Sequence, residues 1–183
     1  MGRIKNSRKG FTLLELLVVV LIIGILTAIA LPQYQIAVKK AQLADYMSVA
    51  NALQKSEESY FLEHGQYTSN LLVLDISLPS NCRYYEDKWC SVYECGETWY
   101  GVCNNVSNVQ TGTKESTTRK LRYLQFLTDI KNISSGDKTQ YRKGDIVCMA
   151  KGAIEEKACM SLGRYEITYK NNSTKEVRYR IIN

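Results

Sequence analysis

Histidine is nearly missing from this chain of 183 residues, where His64 stands alone, and proline occurs only twice. A single histidine leaves no imidazole pair for a metal. With no recognisable acid pair, no phosphate-binding glycine loop and no Cys or Ser set beside a base, the sequence points away from enzymes. Two prolines and 11 glycines are too few for collagen or a low-complexity chain, and six cysteines are too few for a miniature disulfide scaffold. Disorder and coiled coil are excluded by the same composition. The net charge of +6 is also poor evidence for nucleic acid, because Arg3, Lys5, Arg8 and Lys9 supply four of its units before any domain begins. What remains is the length of one ordinary domain with an appendage.

The appendage is what the chain has in abundance. Phe11 to Leu31 is a run of 21 residues that is apolar except for Glu15 and two threonines. As a helix it spans about 31 Å, close to the hydrocarbon thickness of a bilayer. The four basic residues before it favour the cytoplasmic side, which sends residue 34 onward across the membrane. An even number of cysteines downstream of such a segment suits an oxidising compartment. A cleaved secretory signal fits less well, because the run is too long and continues into a helical pattern without a small-residue cleavage site. Glu15 is the residue that needs a reason. A carboxylate at mid-bilayer costs about 2.5 to 3.5 kcal/mol on insertion scales. It is either an interfacial carboxylate or a charge awaiting a partner that arrives on assembly.

Lys9-Gly10-Phe11-Thr12-Leu13-Leu14-Glu15-Leu16, followed by the apolar helix and Pro32, resembles the start of the type IV pilins and of the related type II secretion pseudopilins. The resemblance covers residues 1 to about 63. It implies an α+β fold in which a long N-terminal helix, membrane-spanning in its first half, packs on a C-terminal antiparallel β head. It implies a leader, 1–10, removed by a prepilin peptidase between Gly10 and Phe11, with methylation of the new Phe11 amino group. Residues 11–33 become the transmembrane and filament-core helix, 34–64 its amphipathic half, and 65–183 the disulfide-bonded head. Glu15 is expected to meet the terminal nitrogen of a neighbouring subunit, so that a helix in the wrong register strands a charge and is rejected. Gly24 and Pro32 are the weak points where the helix can loosen on assembly, although Pro32 can equally mark the exit from the membrane. The implied partners are other pilin subunits, the peptidase, an inner-membrane assembly platform and, before assembly, the lipid bilayer. No cofactor is expected.

From Tyr34 to Glu63, the residues Ile36, Leu43, Met47, Ala50, Leu53, Tyr60 and Phe61 recur at helical spacing, and Gly65 ends the pattern. A continuous helix from Phe11 to Glu63 would reach about 80 Å. His64, beside the helix-ending glycine, reads as a C-terminal cap or dipole partner. Strand signals follow at Leu72 to Leu78, Arg83 to Trp89, Thr98 to Val102, Tyr141 to Ala150, Arg164 to Tyr169 and Val177 to Ile182. In the last, Val177, Tyr179 and Ile181 alternate with Arg178 and Arg180, as in a strand with one buried and one wet face. Leu121 to Ile130 is ambiguous, since Tyr123, Leu124, Leu127 and Ile130 suit a helix while the aromatic-rich Leu121 to Leu127 stretch suits, and leans toward, a strand; a short helical turn is expected around Glu155 to Leu162, and polar Asn104 to Thr118 reads as an exposed loop.

Cys82, Cys90, Cys95 and Cys103 lie symmetrically about a point between Val92 and Tyr93. A hairpin turning at Ser91 to Glu94 would nest the disulfides, Cys82 with Cys103 and Cys90 with Cys95, and would set Lys88 opposite Glu97 and Tyr85 opposite Tyr100. Sequential and crossed pairings stay open. Cys148 and Cys159 are expected to close a loop near the carboxyl end, of a kind pilin heads commonly carry. A zinc site is the rival for the clustered cysteines, but the ligand spacing does not hold throughout and a second histidine is lacking. Lys170, Lys175, Arg178 and Arg180, among Tyr169 and Tyr179, form a basic end that can touch DNA or an anionic surface or simply be a solvated strand face. Three functions are expected to compete. The first is a pilus subunit serving adhesion, motility or DNA uptake, the second a secretion pseudopilin, and the third a monomeric membrane-tethered binding module.

Overall fold

The computed structural model describes residues 10–77, 81–86, 90–103, 108–113, 120–131 and 139–182. The chain divides after Gln35 into two compact units. A helix, α1 (Leu13–His64), supplies the regular structure of the described part of the first unit and the first element of the second.

In the first unit no side chain from Phe11 to Gln35 is buried, and the helix is long and apolar enough by composition to cross a bilayer. Leu13 to Leu31 shows apolar side chains all round, the pattern of a helix that meets its apolar surroundings outside its own fold.

In the second unit α1 is amphipathic. Leu43, Tyr46, Ala50 and Leu53 are buried at steps of three and four, and they meet the sheet in one apolar core. Tyr46 takes the position that the spacing assigned to Met47, which is only partly buried. The helix ends where Gly65 donates its N–H to the Phe61 carbonyl at 2.8 Å. A 3₁₀ turn, Leu71–Val73, follows, capped by Asn70. It stands where a strand over Leu72 to Leu78 was expected, and Leu78 lies outside the described residues. Buried Leu71 is held there by its N–H, which donates to Ser91 Oγ at 2.7 Å.

The head is an eight-stranded antiparallel sheet. In chain order its strands are β1 (Arg83–Glu86), β2 (Cys90–Cys95), β3 (Thr98–Cys103), β4 (Asn108–Thr113) and β5 (Leu121–Phe126), with β6 (Ile130–Lys131) and β7 (Gln140–Tyr141) forming a separate two-stranded ribbon. Then come β8 (Ile146–Lys151), the helix α2 (Ala153–Met160), β9 (Arg164–Asn171) and β10 (Glu176–Ile182), and the sheet order is β1-β2-β3-β4-β5-β8-β10-β9. The expected strand from Tyr141 to Ala150 is thus two strands separated by a turn.

Cross-strand register places Tyr84, Tyr93, Tyr100, Thr111, Tyr123, Cys148 and Tyr179 in one row on the face that packs against α1. Thr111 also donates its hydroxyl to the Tyr46 carbonyl of the helix at 3.3 Å. The opposite face carries a smaller core of Leu124, Phe126, Tyr141, Val147 and Met149.

Two sequence expectations fail here for identifiable reasons. β4 lies inside the polar Asn104 to Thr118 stretch, and every described residue of it is buried. Its Asn, Gln and Thr side chains gave no alternating apolar signal; it is a strand because it has a neighbour on each side. Gly112 shows the fit: a Cβ there would stand 2.8 Å from the Leu121 carbonyl oxygen and 3.1 Å from the Trp99 indole nitrogen. The second failure is the hairpin. The turn is at Gly96-Glu97, not at Ser91 to Glu94, because Gly96 has φ +60° and a two-residue hairpin loop needs a residue that accepts positive φ. Val92 and Tyr93 are strand formers and sit in mid-strand.

That shift repairs the cysteine pairing. Cys90 lies directly opposite Cys103 across β2 and β3, and β1 folds back on the other side of β2, so Cys82 reaches Cys95. The disulfides are Cys82–Cys95 and Cys90–Cys103, the crossed arrangement, and the nested one is wrong. Tyr85 faces Val92, while Tyr100 faces Tyr93. Lys88 and Trp89 lie outside the described residues. The third bridge joins Cys148 of β8 to Cys159 of α2.

Candidate assembly site

Glu15 lies in the first turn of α1. Its Oε2 accepts the Thr12 backbone N–H at 2.8 Å and the Thr12 hydroxyl at 2.8 Å, and the Glu15 N–H donates to Thr12 Oγ1 at 3.2 Å. This is a reciprocal capping box, in which Thr12 is the N-cap and Glu15 the third helical residue. Each side chain satisfies an N–H that the helix cannot, and the carboxylate lies at the positive end of the helix dipole. The geometry bends the Glu15 side chain back over Thr12, and the adjoining Phe11 is 83% exposed.

Thr12 was overlooked as a functional residue, although Thr-x-x-Glu at a helix start was the readable signal. Thr12→Ala is expected to weaken the first turn by about 1 kcal/mol. Amide exchange of residues 12–15 of the full chain in micelles would show this as faster exchange there and unchanged rates beyond Val20.

Gly24 and Pro32 both lie inside α1, with no heavy atom near enough to touch a Cβ on Gly24. Pro32 has no N–H for the Ala28 carbonyl, so the helix lacks one bond there. At the other end of α1, His64 Nδ1 is 3.1 Å from the Tyr60 carbonyl and its ring stacks on Tyr60 at 4.0 Å. It is exposed.

The basic carboxyl end is largely consumed by the fold. Arg178 is buried, pairs with Glu176 at 2.9 Å and lies 4.3 Å from the Tyr169 ring, so its strand face is not the wet one expected. Tyr179 is buried and donates to Glu156 at 2.9 Å, and burial followed by that bond raises its hydroxyl above the ordinary tyrosine range. Arg180 pairs with Glu166 at 2.8 Å. Lys170 and Lys175 stay exposed, and two lysines on one hairpin do not make a groove. All six cysteines are in disulfides, which removes the thiolates a zinc site would use.

An exposed apolar helix, a capped glutamate at its start and a disulfide-bonded antiparallel head together give an α+β, pilin-like fold. The comparisons with known proteins agree. Residues 5–31 match the family model for the prokaryotic N-terminal methylation motif. A fimbrial protein of Neisseria meningitidis serogroup B is 33% identical over 109 residues, covering 60% of this chain and 64% of the relative. A type IV major pilin protein of Neisseria gonorrhoeae is 38% identical over 72 residues, covering 39% and 44%. A fimbrial protein of Pseudomonas aeruginosa is 47% identical over 65 residues, covering 36% and 42%. Over these stretches the chain is similar to type IV pilins and fimbrial proteins. The match spans less than two thirds of the length of each of these relatives, and no solved structure matches.

Proposed function

We propose that the chain is a structural subunit, and not an enzyme, of a type IV pilus. In this reading it enters the inner membrane through the apolar half of α1 with its head on the far side. It is cut between Gly10 and Phe11 and methylated on the Phe11 nitrogen. It then leaves the bilayer to polymerise with other pilin subunits on an assembly platform. The observation that carries the reading is the start of α1: a Gly-Phe junction, a capped carboxylate four residues on, and apolar side chains exposed all round the helix beyond it. Such a surface is costly in water and satisfied equally by lipid or by copies of itself, which is what a subunit moving from membrane to filament needs.

Once cut, the new amine of one subunit and Glu15 of the next offer each other a charge in an apolar core. Glu15 then exchanges its Thr12 bonds, wholly or in part, for an ion pair. The same N-terminal motif serves pseudopilins, and the three disulfides favour the pilus, because pseudopilin heads typically carry fewer cysteines. The reading is tested by electron microscopy of the sheared surface fraction with an antibody to the head. Decorated filaments, absent from a strain lacking the chain, are expected. Antigen found only in the membrane fraction would remove the pilus reading and favour the tether.

A further inference from the structure

One buried ionisable group plays no part in this account. Glu57 continues the core stripe of α1, four residues after Leu53 and three before Tyr60, and its side chain is fully buried. Its Oε2 accepts the Thr68 backbone N–H at 3.1 Å, while Oε1 is buried with no hydrogen-bond partner. The neighbouring Glu58 points outward and binds the same stretch of chain from the other side. It accepts the Tyr67 hydroxyl at 3.2 Å and the Lys143 ammonium at 2.9 Å, and Lys143 also donates to Tyr67 at 2.9 Å. Two successive carboxyls therefore hold Tyr67 and Thr68, just past the end of the helix, and one of them is buried with a single donor.

We propose that Glu57 is a proton-controlled clasp between α1 and the segment 66–70, closed while its carboxyl is protonated and loosened when the carboxylate forms. A neutral carboxyl can accept the Thr68 N–H and remain buried, whereas a carboxylate with one donor and no cation carries a desolvation cost that opening relieves. Lys143 is already taken up by Glu58 and Tyr67, and among the described residues these three are the charged and titratable groups that the contacts place beside the clasp.

Burial pushes the Glu57 carboxyl up to about 7 against an ordinary 4.5, the Thr68 bond opposes this, and the Glu58 charge adds to it. The sign follows from linkage. The closed state holds the proton more tightly, so the clasp is firmest below the open-state value and weakens as pH rises from about 4.5 to about 7. Above that range the opening constant levels off, higher by up to about 300-fold.

The test is amide exchange of the full chain in detergent micelles between pH 5.5 and 8.5, corrected for intrinsic rates. Protection of the Thr68 N–H is expected to fall more than tenfold across this range in the wild type and to stay level in Glu57→Gln, which keeps an acceptor but cannot ionise. Histidines change charge in the same range, so His64→Asn serves as a control and is expected to behave as wild type. Wild-type protection that does not vary with pH, or a Glu57→Gln variant with wild-type dependence, would overturn the clasp. If Glu57→Gln does not fold, a carbon-13 carboxyl titration of Glu57 in the wild type decides, a midpoint near 7 supporting it and one below 5 refuting it.

Discussion

Glu15→Ala is expected to leave the chain inserted in the membrane and cut after Gly10, yet to lower filament yield at least a hundredfold. Removing one partner of a buried ion pair costs about 3 to 5 kcal/mol, because the other charge is left uncompensated. At each subunit addition that is roughly a hundredfold or more in affinity. The alanine also loses the Thr12 capping bonds, so a second variant is needed to separate the two roles. Glu15→Gln keeps a side chain that can accept the Thr12 N–H, since glutamine serves at this position of a capping box, but it brings no charge. If the charge governs assembly, the glutamine variant fails as completely as the alanine. If capping governs it, glutamine restores filaments and Thr12→Ala loses them. Quantitative immunoblots of sheared and membrane fractions distinguish these results.

The second large effect is expected in the head. Cys148→Ala together with Cys159→Ala is expected to lower stability by about 3 kcal/mol, the chain-entropy value for a loop of this length. For a domain of this size that corresponds to a melting temperature lower by roughly 6 to 12 °C. Both sulfurs are fully buried in the main core, and α2 has only eight residues, too few to hold a helix without tertiary support. The bridge fastens α2 to β8, next to the bond from Tyr179 to Glu156. Calorimetry of the full chain in micelles, with the other four cysteines oxidised, reads this directly. A shift under 2 °C would mean that α2 is held by packing alone.

Parts of this molecule that act through local chemistry were legible from the sequence. The apolar run and Glu15 mark the exposed apolar helix and its capped start, and spacing at three and four residues locates the core face of α1 up to Leu53. β10 was found by its alternation, but alternation misjudged Arg178, which is buried because Glu176 and Tyr169 give it partners. Long-range pairing was where the reading failed. β4 has no apolar period, and its strand character comes from β3 and β5 on its two sides. The cysteine symmetry was real, but it fits a meander in which both bridges span 13 residues as well as it fits a hairpin. Gly96 was the deciding residue, since among the described residues of that stretch it alone adopts a positive φ. Glu57 escaped notice because a charged residue on a core stripe looks like a break in the pattern. In the structure it lies within the stripe, bound to Thr68.

The claim that the chain is a processed, disulfide-bonded filament subunit is tested most directly by non-reducing intact-mass spectrometry of sheared extracellular filaments. The account predicts the mass of residues 11–183 plus one methyl group, less six hydrogens for the three disulfides. An uncut chain confined to the membrane fraction and missing from the filaments would contradict it.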